Sequence, residues 1–556
     1  MGTPIIMYME DFNTEIDDDK SENPELEQHR TIILTSSQLD SSKQQQIRDT
    51  VSPEVMDNSR QFWAGINVLG GGMNPMLLAG KATTIDMFKN KDERVLRLLI
   101  EKGMVDESDG LEIIERYCED DNKKEQEIRE LEKRAVEELG ANRIRLHFDE
   151  TMVHLSSIEK LFDEEGNILE SEMDSEHCKG FLQLVKYVED IERDGLKAEI
   201  SLGPGVPHPE RTPDRRHMYS ITEYELPVDD VDKKVWEKYC RGIAHYFPNS
   251  DLTVWIEPNY KGFVQGGRDG CKYGDTVISA AQAVREIYPE KKVGLNMLFL
   301  DQEFIFQTLD HIKEKGISPA DIVGYITFNP YRFHAPESPT CPEKSSKLDL
   351  GNKPVEVYDS YEQEVQSFRK KLLEYGITDI RVGESGFEGD NYTPHQNAVC
   401  NLRSWALNRY LSVRETPWRA VQKKGSGSNR GLISEEGIPT ENFNAYKHFN
   451  EIFTPDVKPI GEIVDPQDRR VYCKIFKNEK TNEDIIVLWV AQEYDSKQEI
   501  YQRTFIINTP RNEGFTEISK LWDKEVGKET MPKDTLNKQG IIVTEDPVIL
   551  IGNFGF

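Results

Sequence analysis

Short apolar runs alternate along most of the chain with longer stretches whose apolar residues recur at helical spacing, and this change of period sets the fold expectation. Extended segments are expected at 62–68 (FWAGINV), 142–148 (NRIRLHF), 197–202 (KAEISL), 252–257 (LTVWIE), 292–297 (KVGLNM), 321–328 (DIVGYITF), 380–384 (IRVGE) and 418–422 (WRAVQ). Helical patterns are expected at 125–139, 178–193, 232–246, 275–288, 303–315, 361–375, 396–410 and 442–453. Alternation of this kind builds a parallel α/β sheet through right-handed crossovers, and eight strands predict closure into a (β/α)8 TIM barrel.

The pattern changes at 454–460 (TPDVKPI), after which short alternating runs separated by polar turns predict a C-terminal β-sandwich over 454–556. The barrel is expected over 56–453. Residues 1–55 read as a polar N-terminal tail with one possible strand, TIIL at 31–34, able to pair with a distant part of the fold.

Composition removes several classes of function. A formal charge of −31 repels nucleic acid and anionic membranes. The apolar runs are strand-length, far short of the roughly 20 residues a helix needs to span a bilayer. The turn LGGGMNP at 69–75 lacks the glycine spacing of a phosphate loop. No HExxH or EF-hand pattern occurs, so no metal is expected. Seven scattered cysteines with no CxxC pair argue against a disulfide framework. The first residues carry neither a basic start nor an apolar stretch long enough for a secretory signal, which favours a cytoplasmic location, with secretion left open should a signal have been removed.

Candidate chemistry sits where two strands should stop. LTVWIEP and IRVGESG each place a glutamate, Glu257 and Glu384, at the end of an apolar run, where a buried carboxylate is costly unless something uses it. Parallel α/β folds gather their chemistry at the carboxyl ends of the strands, so the two point to one cleft. A pair of carboxyls about 5–5.5 Å apart hydrolyses a glycosidic bond with retention, one as acid and one as nucleophile. Each alone could equally be a structural ion pair.

VWIEPN around Glu257 and VGESGF around Glu384 resemble the acid/base and nucleophile motifs of clan A glycoside hydrolases, and 431–449 resembles the stretch leading into their last helix. With a C-terminal sandwich the layout is similar to family 39, the β-xylosidase-like group, and other families of the clan stay open. The resemblance implies Glu257 as general acid/base and Glu384 as nucleophile. One position departs: the clan's Asn before the acid/base is Ile256, so its hydrogen bond to a substrate 2-hydroxyl must come from elsewhere or be absent.

Further cleft candidates follow. Arg145 and His147 alternate with Ile144 and Leu146 and so share one strand face, expected to be the barrel interior. Arg145 resembles the clan's strand-two arginine, which orients the nucleophile; otherwise it is a buried Arg bonded to carbonyls. His147 is a sugar contact or a core histidine. Tyr331, in FNPYRF, resembles the clan tyrosine that bonds the nucleophile, although Asn329 and Pro330 stand where the clan often has His-x. Trp418 offers a flat face to a pyranose or is core. His208 belongs to a loop beside the expected cleft.

Two functions from different classes therefore stand: a retaining glycoside hydrolase acting on an oligo- or polysaccharide without a cofactor, and a carbohydrate-binding pseudo-enzyme on the same barrel.

Overall fold

A computed structural model of the protein describes residues 31–34, 39–50, 65–67, 138–139, 143–148, 161–173, 176–203, 226–227, 230–260, 264, 268–332, 335–340, 359–387, 393–417, 419–422, 431–434, 437–465, 468–491, 503–507, 516–520, 529–531 and 541–554. The strands in chain order are β1 (Thr31–Leu34), β2 (Gly65–Asn67), β3 (Arg143–Phe148), β4 (Lys197–Leu202), β5 (Asp251–Val254), β6 (Val293–Leu298), β7 (Val323–Asn329), β8 (Tyr331–Arg332), β9 (Asp379–Phe387) and β10 (Arg414–Pro417). They continue with β11 (Arg419–Gln422), β12 (Gly431–Ser434), β13 (Val457–Glu462), β14 (Val471–Asn478), β15 (Asp484–Val490), β16 (Arg503–Ile507), β17 (Thr516–Lys520), β18 (Glu529–Met531), β19 (Ile541–Val543) and β20 (Val548–Gly552).

Strands β2, β3, β4, β5, β6, β7, β9 and β10 hydrogen-bond in that order, every pair parallel. Helices Glu176–Arg193, Asp230–Tyr246, Gly270–Ile287, Gln302–Glu314, Tyr361–Leu372 and Pro394–Tyr410 supply the crossovers. The helix expected over 125–139 lies almost wholly outside the described residues. In a flat sheet β9 and β4 would stand about 19 Å apart, four strand spacings. Yet Arg381 on β9 lies 3.2 Å from Glu199 on β4, and β10 lies against β2. The sheet is therefore curled until opposite strands touch through their side chains, which is the geometry of an α/β barrel.

Alternation within the strands explains both faces. Ile144, Leu146, Ile200, Val254, Leu295, Ile326 and Val382 join one apolar core with helix residues such as Leu184, Trp236, Val277, Phe304 and Leu402. The opposite positions are polar and equally buried: Arg143, Arg145, Glu199, Ser201, Thr253, Asn296, Thr327, Asn329 and Arg381. Buried charges persist only when paired. Here Glu199 meets Arg143, Arg145 and Arg381, while Asp379 meets Arg381 at 2.8 Å and Arg414 at 2.7 Å. Burial opposes ionisation of Asp251, but Arg381, Lys197 and Arg143 outweigh it and hold its carboxyl below the ordinary value. The same burial, with Arg381 close by, pushes the Arg143 guanidinium down to about 9.

The eighth strand of this sheet is RETP, β10, and not the expected segment at 418–422. WRAVQ is largely extended, but its residues 419–422 pair in parallel with β12 as a separate two-stranded sheet. RETP escapes an apolar pattern because Arg414 serves the ionic interior through Asp379.

After helix Glu441–Ile452 the order β13-β14-β15-β20-β17-β18 forms an antiparallel sheet. A smaller sheet places β16 between β19, antiparallel, and β1, parallel. Phe505, Ile541 and Val543 of the smaller sheet share an apolar cluster with Ile475, Leu488 and Leu550 of the larger. Polar contacts fix this region to the barrel: Trp489 donates to Glu337 at 2.6 Å, Arg403 donates to the same carboxylate at 2.8 Å, and Arg409 donates to the Thr454 and Val457 carbonyls. Among the described residues no helix is long and apolar enough to cross a membrane.

Candidate active site

Glu384 reaches the barrel interior through an irregularity in β9. Val382 pairs with Glu415 and Ser385 with Pro417, so three steps along β9 oppose two along β10. Strict alternation would send Glu384 to the helix side with Val382; the extra residue re-aims it, which is what β-bulges do beside functional sites. Its Oε1 accepts from Arg145 Nη1 at 3.3 Å. Gly383 makes this approach possible. A Cβ there would lie 2.4 Å from Arg145 Nη1 and 3.0 Å from Asn329 Oδ1.

Arg145 is fully buried and held from several sides. Nη2 donates to Ser201 Oγ at 3.2 Å, and Nε lies 3.2 Å from Glu199 Oε1. Glu199 is itself fixed by Thr253 Oγ, which donates at 2.9 Å. The guanidinium therefore meets Glu384 from a pre-set position, with ordering entropy already spent.

Glu257 is presented by strained backbone. β5 stops at Val254, earlier than the Pro258 boundary, although Trp255 N–H still donates to the Leu202 carbonyl at 2.7 Å. Trp255 and Glu257 then take φ of 63° and 43°. Such left-handed positions cost a non-glycine residue about 1–3 kcal/mol and persist only where the surroundings impose them. They do so here. The Trp255 ring is buried beside Trp236, and Glu257 N–H donates to Asn296 Oδ1 at 2.6 Å. Asn296 is fixed in turn by donating to Thr327 Oγ at 2.6 Å. Asn259 ties the following turn to β6 by accepting from Leu298 N–H at 2.8 Å and donating to the Leu298 carbonyl at 3.0 Å.

The Glu257 carboxylate is 3% exposed by residue, and its Oε1 accepts from Asn329 Nδ2 at 2.8 Å. Asn329 ends β7 and is fully buried. Its amide thus spans from Glu257 to the bare backbone of Gly383, next to Glu384 and Arg145. Tyr260, half-buried in the same turn, has its hydroxyl pushed above its ordinary pKa by burial and by the charge of Glu257. Hence Glu257 in the turn after β5, Asn329 at the end of β7, Gly383 and Glu384 of β9 and Arg145 of β3 form one connected group.

The other expected residues fare differently. His147 occupies β3 opposite Ser201 on β4, and Tyr331 opens β8 opposite Gly386; the side chains of both lie outside the described residues. Trp418 and His208 also lie outside them. Sequence reasoning passed over Asn296, Thr327, Ser201 and Glu199. Each is a polar residue flanked by apolar neighbours within its strand, and that parity is the signal that reveals an interior-facing site. Among the described residues no group of three or more His, Cys, Asp or Glu side chains is placed to hold a metal ion.

No protein-family model matches the chain, and no curated protein matches it in sequence. Solved structures do. A family 39 glycoside hydrolase from the gut symbiont Bacteroides cellulosilyticus WH2 superposes with a TM-score of 0.54 at 14% identity, covering 76% of this chain and 77% of that one. An alpha-L-arabinofuranosidase from Thermotoga maritima gives a TM-score of 0.42 at 10% identity, over 76% of this chain and 89% of its own. A family 51 alpha-L-arabinofuranosidase from Bifidobacterium longum gives 0.43 at 11%, again over 76% and 89%. The first of these shares the fold of this chain.

Proposed function

We propose that this chain is a retaining glycoside hydrolase with a C-terminal β-sandwich, cleaving a β-glycosidic bond of an oligo- or polysaccharide by double displacement. The observation that carries the reading is the linked pair of buried carboxylates, Glu384 against Arg145 and Glu257 against Asn329, at one end of the barrel. A fixed guanidinium beside Glu384 favours the anion that a nucleophile has to be. Glu257 faces a neutral amide in a buried setting, which suits a group that alternates between acid and base.

In the first step a Glu384 oxygen attacks the anomeric carbon as the bond to the leaving oxygen breaks, and Glu257 gives its proton to that oxygen. In the second, Glu257 takes a proton from water, the water oxygen attacks the anomeric carbon, and Glu384 leaves as the carboxylate. The structural neighbours named as glycoside hydrolases support the substrate class.

A panel of aryl glycosides tests this. Glu384→Ala abolishes turnover, and Glu257→Ala slows poor leaving groups by roughly 10²–10⁴-fold. The first product anomer, followed by NMR, keeps the substrate configuration. An inverted first product, or full activity without Glu384, overturns the mechanism. One observation favours the binding-module reading instead: Ile256, beside the acid/base, is apolar and buried yet belongs to neither packed apolar core. A wild type that binds oligosaccharide but turns over no member of the panel decides for it.

A further inference from the structure

Resting on the hydrolase reading, we propose that Asn329 is a positioning residue that assigns the transferable proton of Glu257 to Oε2. A carboxylic acid has two oxygens, and only a proton on the one facing the scissile bond is useful. Asn329 Nδ2 donates to Oε1 at 2.8 Å, so a proton on Oε1 would meet a donor and lose that hydrogen bond. With Oε1 held as the acceptor in both protonation states, the proton resides on Oε2, and transfer leaves from there.

Rotation of the amide would reverse the arrangement, presenting Oδ1 to Glu257. Electrostatics opposes it. Oδ1 would then set an acceptor against the Glu257 carboxylate, and Nδ2 would turn toward the Arg145 cation, since Asn329 Oδ1 and Arg145 Nη1 lie 3.0 and 2.4 Å from the position a Cβ of Gly383 would take. Asn329 is fully buried, and its backbone carbonyl is committed to Phe299 N–H at 3.1 Å. Pro330 follows directly, restricting the backbone at 329 to extended conformations. Among the described residues, Asn329 from β7 bonds the Glu257 carboxylate, Tyr260 of its own turn feels its charge, and Asn296 from β6 holds its backbone N–H, with Arg145 and Glu384 next to Asn329 across Gly383.

The test compares leaving groups in Asn329→Ala and Asn329→Asp. Dinitrophenolate needs no protonation, whereas a phenolate or sugar alkoxide does. Loss of the donor therefore slows phenyl or disaccharide substrates by roughly tenfold or more and leaves the dinitrophenyl glycoside nearly unchanged. Asn329→Asp, which keeps the shape but sets a like charge against Glu257, moves the basic limb of kcat/KM upward by roughly one pH unit.

Equal losses on both leaving groups with no shift of that limb overturn the proposal and leave Asn329 a packing residue. Should Asn329→Asp fail to fold, Asn329→Ser, too short to reach Oε1, has to reproduce the leaving-group selectivity. A readout without turnover separates this from the hydrolase reading: pH-difference infrared spectroscopy, with the Glu257 band assigned by Glu257→Gln subtraction. Glu257 titrating higher in Asn329→Asp supports the positioning role even in an inert protein, and an unchanged titration sinks it.

Discussion

Gly383 shows how little space separates the two halves of the site. Any side chain there meets Arg145 Nη1 at 2.4 Å, and a guanidinium anchored by Ser201 and Glu199 has nowhere to retreat. Gly383→Ala is therefore expected to cost about 1–3 kcal/mol in urea unfolding, as overpacking does. Activity falls further than stability accounts for, because Arg145 is displaced from Glu384. Full activity in Gly383→Ala would show that the Arg145 contact is dispensable. At this scale the sequence was legible where chemistry left a motif. Glu257 and Glu384 stood out by position at strand ends and Arg145 by alternation, whereas Asn296 and Asn329 did not, because one amide in an apolar strand reads as tolerance rather than purpose until a partner is seen.

Among elements, the parallel strands read well from sequence except where charge replaced apolar alternation. β10 was missed for that reason: its place is set by Arg414 meeting Asp379 and by the β9 ladder, neither of which appears in hydropathy. The bulge in β9 was equally hidden: Glu384 was expected in the cleft from its place at a strand end, without the extra residue that turns it there. The ionic interior that these strands share makes a testable demand. Glu199→Gln leaves Arg143, Arg145 and Arg381 facing one another without their common anion, so it should destabilise by about 3–5 kcal/mol in equilibrium denaturation. A loss below about 1 kcal/mol, the scale of an exposed pair, would mean the cluster is solvent-screened.

Across the whole molecule the barrel and the C-terminal sheets act through shared contacts. His395, at the start of helix Pro394–Tyr410, lies 3.3 Å from Glu441 of the helix that follows the barrel and 3.3 Å from Asp546 of the C-terminal region. Its hydrogen bond to Asp546 raises its pKa from 6.5, against the effect of burial, with Asp546 and Glu441 adding their charge. A raised folded-state value means the contribution is complete below about pH 6.5 and is lost as pH climbs through that higher value. His395→Asn should thus lower Tm at pH 6 and leave it unchanged at pH 9; an equal deficit at both would assign the effect to packing.

The parallel pairing of β1 with β16 carries a consequence for biogenesis. Residues 31–34 must wait for Thr504 to Ile507 to leave the ribosome before their ladder can close, so the nascent chain carries both strands unpaired through the synthesis of everything between them. Clipping off the leading segment would bare one rim of an apolar strand, RTFII, and invite neighbouring molecules to dock there.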